Sequence, residues 1–100
     1  MLNVMGELDL STAPRLCVAL DAARRRGARR LLVDLSAVEF CDSSGLRSLI
    51  GERMEVEAQG GRLAIVCAPE GPVARLFELT GAHEMLSIHP SADAARGALG

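Results

Sequence analysis

Residues 29–50 read RRLLVDLS-AVEF-CDSSGLRSLI: an apolar run, a short polar break, then an amphipathic stretch opened by an acid, two serines and a glycine. That order fixes most of what the chain can become. Leu31, Leu32, Val33 and Leu35, bounded by arginines and Ser36, have the profile of a strand buried on both faces. From Gly45 onward, Leu46, Leu49, Ile50 and Met54 recur at helical spacing. The spacing predicts a helix with Ser44, Arg47, Ser48, Glu52 and Glu55 towards solvent. The turn between the two elements puts Asp42, Ser43 and Ser44 at a helix N-terminus, where short oxygen-bearing side chains satisfy unpaired amides. Two readings of the hydroxyls stand side by side: both are helix caps, or one is exposed and open to modification.

The rest of the chain alternates in the same way. A short strand, Leu2 to Met5, runs into Gly6-Glu7-Leu8-Asp9. Ser11 or Thr12 then caps a helix with Pro14 in its first turn. Ala13, Leu16, Cys17, Leu20 and Ala23 form its apolar stripe, and Gly27 ends it. The second helix runs to about Gln59, where Gly60-Gly61 stops it. Residues 62–67 form another apolar strand, followed by the Pro69-Glu70-Gly71-Pro72 loop. A third helix starts near Pro72, turns Val73, Leu76, Phe77 and Thr80 inward, and stops at Gly81. Leu86-Ser87-Ile88 is a last strand, and Pro90-Ser91 opens a helix with Ala92, Ala95 and Leu99 on one side. Strand and helix joined by short links define an α/β sandwich with crossover helices. The 100 residues suffice for one compact domain, 1–100, and are too few for two.

Composition narrows the function. Hydrophobic residues make up 49%, but the only aromatics are Phe40 and Phe77, so the core must be aliphatic. A formal charge of −2 gives no general pull towards nucleic acid or membrane. Neither a membrane-spanning run nor a signal peptide ahead of the first element is expected, which makes the cytoplasm the default. Arg24, Arg25, Arg26, Arg29 and Arg30 cluster at the end of the first helix. Their structural reading is a solvated helix end whose cations offset the helix dipole; their functional reading is an anion-binding or nucleic-acid patch, against which stands the lack of interleaved aromatics to stack bases. Cys17, Cys41 and Cys67 are far apart, with no C-x-x-C pair, so no metal is expected. Cys17 and Cys67 read as small core residues; Cys41, beside Asp42, is the one placed for partial exposure.

VDLSAVEFCDSSGLRSLI resembles the signature of STAS domains, the family of bacterial anti-sigma factor antagonists and of the cytoplasmic tails of sulfate transporters. Two further blocks agree in the right order. Gly6-Glu7-Leu8-Asp9 followed by Thr12-Ala13 is similar to the family's entry into its first helix. Residues 67–81, CAPEGPVARLFELTG, are similar to its late strand–loop–helix segment. The resemblance implies a STAS-like α/β fold: a mixed β-sheet with crossover α-helices packed mainly on one face. Related domains carry another strand before Leu2, expected here to be missing or shortened, which leaves a sheet edge open to pairing.

The same resemblance implies the function of an anti-sigma factor antagonist. It binds a serine-protein kinase that is also the anti-sigma factor, frees the sigma factor, and lets go when Ser43, the first serine of D-S-S-G, is phosphorylated. A serine phosphatase resets it. The expected partner surface is Asp42, Ser43, Ser44, Gly45, Arg47 and Ser48, with Gly45 allowing close backbone approach. No cofactor is expected on this chain, because ATP and magnesium belong to the kinase. Helix geometry alone leaves Ser43 and Ser44 equivalent. An enzyme is the first alternative, with Ser43 or Ser44, Asp34 or Asp42 and His83 or His89 as a triad. The local sequence is not G-x-S-x-G, and the carboxylates show no acid–base pairing. The second alternative is a STAS module of another assembly (sensory complex, lipid-transport accessory or transporter-associated) that binds partners without a phosphoswitch.

Overall fold

A computed structural model describes residues 2–99. The elements run β1 (Leu2–Leu8), α1 (Ala13–Arg25), β2 (Arg30–Cys41), α2 (Ser43–Ala58), β3 (Arg62–Val66), α3 (Pro72–Thr80), a 3-10 turn (Ala82–Glu84), β4 (Ile88–His89) and α4 (Ala92–Leu99). The strands form one sheet in the order β1-β2-β3-β4, and all three pairings are parallel. The expected α/β architecture is therefore present, but the described sheet is parallel where a mixed one was expected. Every pair of successive strands is joined through a helix, which returns the chain to the end where the previous strand began.

Sequential strand order with right-handed crossovers puts the connecting helices on one side of a sheet. Buried residues of α1, α2 and α3 accordingly join one core cluster with Leu31, Val33 and Leu35 of β2 and Leu63 and Ile65 of β3. The alternate strand residues, Leu32, Ala64 and Val66, form a smaller cluster under Ala95 of α4. Burial on both faces explains the unbroken apolar runs in β2 and β3. In β1 only one face is covered: Leu2, Val4 and Leu8 turn towards the core, while Asn3, Met5 and Glu7 are exposed. β1 is an edge strand, and among the described residues no strand pairs with its outer side.

Several local expectations change. The polar break Ser36–Phe40 is not a loop but the continuation of β2. Pairing with β3 stops at Asp34↔Val66, whereas pairing with β1 continues to Leu8↔Cys41 through register shifts at Asn3/Met5 and Gly6/Glu7. Ser36, Ala37, Glu39 and Phe40 are exposed there, which gives a strand the composition of a turn. β4 is Ile88–His89 rather than residues 86–88. Thr80 faces out, its hydroxyl donating to the Leu76 carbonyl at 2.8 Å. Cys17 is half-buried, and the Thr12 hydroxyl donates to the Glu7 carbonyl at 2.8 Å instead of capping α1.

In α2 the inner face is Gly45, Leu46, Leu49, Glu52 and Val56, while Met54 is 65% exposed. Glu52, expected in solvent, sits at the helical spacing that continues Leu49 and leads to Val56. It faces Arg24 of α1, Nη2 to Oε2 3.6 Å, and Arg24 also pairs with Asp21. Burial pushes the Glu52 carboxyl above its ordinary value of 4.5. The folded state then holds that proton to higher pH than the unfolded chain does. Its contribution to stability therefore falls as pH rises from the ordinary value through the raised one, and levels off above it. Glu52→Gln is expected to remove this step. Urea midpoints measured from pH 4 upward should differ between variant and wild type in shape across that window, and parallel curves would contradict the assignment.

Candidate functional site

In an open parallel sheet the carboxyl ends of the strands gather the loops that carry function. Here the end of β2 passes through Asp42 into α2, beside the end of β1, where Leu8 pairs with Cys41. Asp42 is extended, φ −103° and ψ −176°, and its carboxylate accepts from the Gly45 amide at 2.9 Å. Its carbonyl accepts from the Leu46 amide at 3.0 Å, and its own amide donates to the Leu8 carbonyl at 3.2 Å. One residue thus caps α2 and ties the helix head to β1.

That assignment removes capping as the role of the two serine side chains. The cap is Asp42, and among the described residues neither the Ser43 nor the Ser44 hydroxyl makes a hydrogen bond. Ser43, the first residue of α2, is exposed; Ser44 is half-buried. Exposure therefore separates two side chains that helical pattern left equivalent. Arg47 is exposed one turn on, and the half-buried Ser48 donates its hydroxyl to the Ser44 carbonyl at 3.0 Å.

Gly45 is different in kind. It is buried, and a Cβ built there would lie 2.5 Å from the Leu8 carbonyl oxygen and 2.8 Å from Leu8 Cγ. The close backbone approach that it permits comes from its own chain. Cys41 is buried too, not partly exposed, and burial raises its thiol to about 11, with Asp42 adding to the shift. A thiol that weakly acidic is a packing group rather than a nucleophile at neutral pH.

The neighbouring β1–α1 loop is fixed by Asp9. Its carboxylate accepts from the Ser11 hydroxyl at 2.7 Å and from the amides of Ser11 and Thr12 at 3.0 and 3.1 Å. The Ser11 hydroxyl bond, with the backbone bonds behind it, holds this carboxyl below its usual range. The loop presents Leu10, 75% exposed, and the outer face of the same strand ends presents Phe40, 51% exposed. Sequence reasoning passed over both, although an apolar residue inside a polar turn and one of only two aromatics in a polar break were visible signals.

His83 lies on the 3-10 turn, with Nδ1 3.2 Å from the Phe77 carbonyl, and His89 is in β4, with Nε2 2.7 Å from the Ser87 hydroxyl. The structure places both imidazoles on the β4 side of the fold, against other partners than the serines.

Comparison with known proteins agrees with this architecture. The chain matches the STAS domain family over residues 1–95 and belongs to it. It is 31% identical over 90 residues to an anti-sigma F factor antagonist from Paenibacillus polymyxa, covering 89% of this chain and 76% of that one. It is 32% identical over 87 residues to an anti-sigma-B factor antagonist from Staphylococcus aureus, covering 87% and 80%. The crystal structure of an anti-sigma factor antagonist from Mycobacterium paratuberculosis superposes with a TM-score of 0.83 at 33% identity, covering 97% of this chain and 81% of the other.

The Leu8–Gly45 contact gives a direct test of the site's construction. Gly45→Ala forces a methyl against backbone and should destabilise the fold by about 1–3 kcal/mol, as overpacking does. Asp42→Ala should cost about 0.5–2 kcal/mol through the lost cap. Ser43→Ala should lie within about 0.5 kcal/mol of wild type, since an exposed, unbonded hydroxyl holds nothing together. Chemical denaturation of the three variants checks the ranking.

Proposed function

We propose that this chain is an anti-sigma factor antagonist and that Ser43 is its phosphorylation site. The observation that carries the reading is the free, exposed Ser43 hydroxyl at the head of α2, beside a separate residue that does the capping. Kinship with antagonists at 31–33% identity supports an anti-sigma factor as the partner class. The partner of this proposal is a serine-protein kinase, with a serine phosphatase to reverse the mark. No helix among the described residues is long and apolar enough to cross a membrane. The setting proposed is the cytoplasm.

The switch follows from local chemistry. The Ser43 oxygen attacks the γ-phosphorus of ATP held by the kinase, the hydroxyl proton passes to a base on the kinase, and ADP departs. Magnesium and nucleotide belong to that partner. The ester adds roughly −1.5 to −2 charge and three acceptor oxygens. Placed at a helix N-terminus, that charge meets amide hydrogens and the positive end of the helix dipole, so the domain tolerates it. A partner seated over Ser43 and Arg47 does not, because the phosphate intrudes on a desolvated contact. Loss of about 3–4 kcal/mol of interface energy weakens binding several-hundred-fold. Ser44, half-buried, is the weaker acceptor. Asp42, Ser44 and Ser48 shape the contact, Arg47 reaches out from it, and Gly45 contributes from beneath through the Leu8 seam.

Affinity for a candidate anti-sigma kinase, measured by calorimetry with and without ATP, tests the proposal. Wild type should bind and be released as one phosphate appears on Ser43. Ser43→Ala should bind comparably and resist release, and Ser43→Asp should bind at least tenfold more weakly. Stable binding without phosphate transfer, at unchanged affinity for all three forms, would assign the chain to an adaptor role instead.

A further inference from the structure

The carboxyl ends of β3 and β4, on the other side of the strand ends from β1, open into a cavity of about 280 Å³. Buried Cys67 and Phe77 form its floor, and half-buried Ala74 and Ile88 its walls. We infer that this cavity binds a small organic amine, its apolar body seated on Phe77 and Ile88 and its ammonium group against Glu78 and His83. The position is the one that ligands take in open parallel sheets, outside the carboxyl ends of the strands. The walls are stiff, as in a pre-formed ligand site. The Cys67 amide donates to the His89 carbonyl at 3.0 Å, which holds the exits of β3 and β4 side by side. Each exit then meets a proline on the rim, Pro69 or Pro90, whose ring restricts the backbone. At about 30 Å³ per water the space equals roughly nine waters, which suits an apolar body of about that many non-hydrogen atoms.

The polar groups on the lining decide the head of the ligand. A backbone carbonyl only accepts, so the 3.2 Å contact of His83 Nδ1 with the Phe77 carbonyl puts the proton of the neutral imidazole on Nδ1. Nε2 is then left as an acceptor. His89 commits Nε2 to the Ser87 hydroxyl at 2.7 Å, and the Cys67 thiol turns to the Ala68 carbonyl. With the histidines neutral, Glu78 is the one charged group on the lining, and no ion pair holds it among the described residues. A carboxylate or phosphate placed there would face a like charge and a ring nitrogen without a proton. An ammonium meets a counter-charge at Glu78 and an acceptor at His83. The bland account is a hollow left beside Ile88 because β4 is only two residues long. A hollow of that origin would not tell an amine from an acid of the same size.

Phenethylamine titrated into the protein at constant ionic strength, followed by amide chemical shifts, tests the site against phenylacetate, an acid of similar size. Saturable shifts are expected at residues 67–69, 74–78, 83 and 88–90. The expected Kd for the amine is about 1 mM or tighter, with the acid at least about tenfold weaker. Glu78→Gln, an exposed position, should weaken the amine about fivefold, as loss of one exposed ionic contact does, and narrow its lead over the acid. Ala74→Leu, its folding checked by circular dichroism, should fill the wall and abolish saturation. Arg96→Gln on α4 should leave binding unchanged. Ser43 takes no part in the lining, so Ser43→Ala should leave it unchanged too, whether or not the phosphoswitch holds. Shifts that fail to saturate, equal affinity for amine and acid, or a preference that Glu78→Gln leaves intact would overturn the assignment.

Discussion

The structure depends on the seam where the end of β1 meets the head of α2. Leu8 accepts from the Asp42 amide, pairs with Cys41, and presses its carbonyl onto Gly45 so closely that no side chain fits. This contact sets the height at which α2 begins over the sheet. Because Asp42 supplies the cap through Gly45, the next residue out is relieved of structural duty. Glycine, acid and serine thus divide three tasks along one turn: close approach, termination of the helix's free amides, and presentation of a hydroxyl.

Much of this was legible in the residues. Apolar runs announced β2 and β3, Gly-Gly and Gly-Pro punctuation located the helix ends, and D-S-S-G located the turn. The illegible parts share a physical cause: they are decided by a neighbour distant in sequence. Ser36–Phe40 reads as a break because its strand character comes from pairing with β1 alone, beyond the end of β3. Glu52 reads as solvent-facing because its partner, Arg24, lies on another helix. Ser43 and Ser44 look alike in helical pattern, and only the packed turn exposes one more than the other. The missed Leu10 and Phe40 show the converse: apolar residues that a propensity argument would bury, left on the surface by the geometry of strand ends.

The acidity of the strand ends bears on how a phosphate at Ser43 would act. Glu7, Asp9, Glu39 and Asp42 gather there by register, and the side chains of Asp9 and Asp42 are held in place by hydrogen bonds from their own turns. Under the proposed switch, an unmodified surface of that sign would favour a cationic partner. Added phosphate deepens the same sign, so long-range attraction alone would strengthen the encounter rather than end it. Release under the proposed switch must then come from short range. The ester displaces packed surface at contact, and at the moment of transfer it faces the diphosphate from which it was taken. At about 4 Å two unit charges interact by roughly 1 kcal/mol in water and about 4 kcal/mol at a protein surface. That repulsion vanishes once the partner has left, which makes dissociation favourable without any rearrangement of the domain itself. A serine already held by its neighbours could not serve this way, since charging it would unfold its own turn before it expelled a visitor.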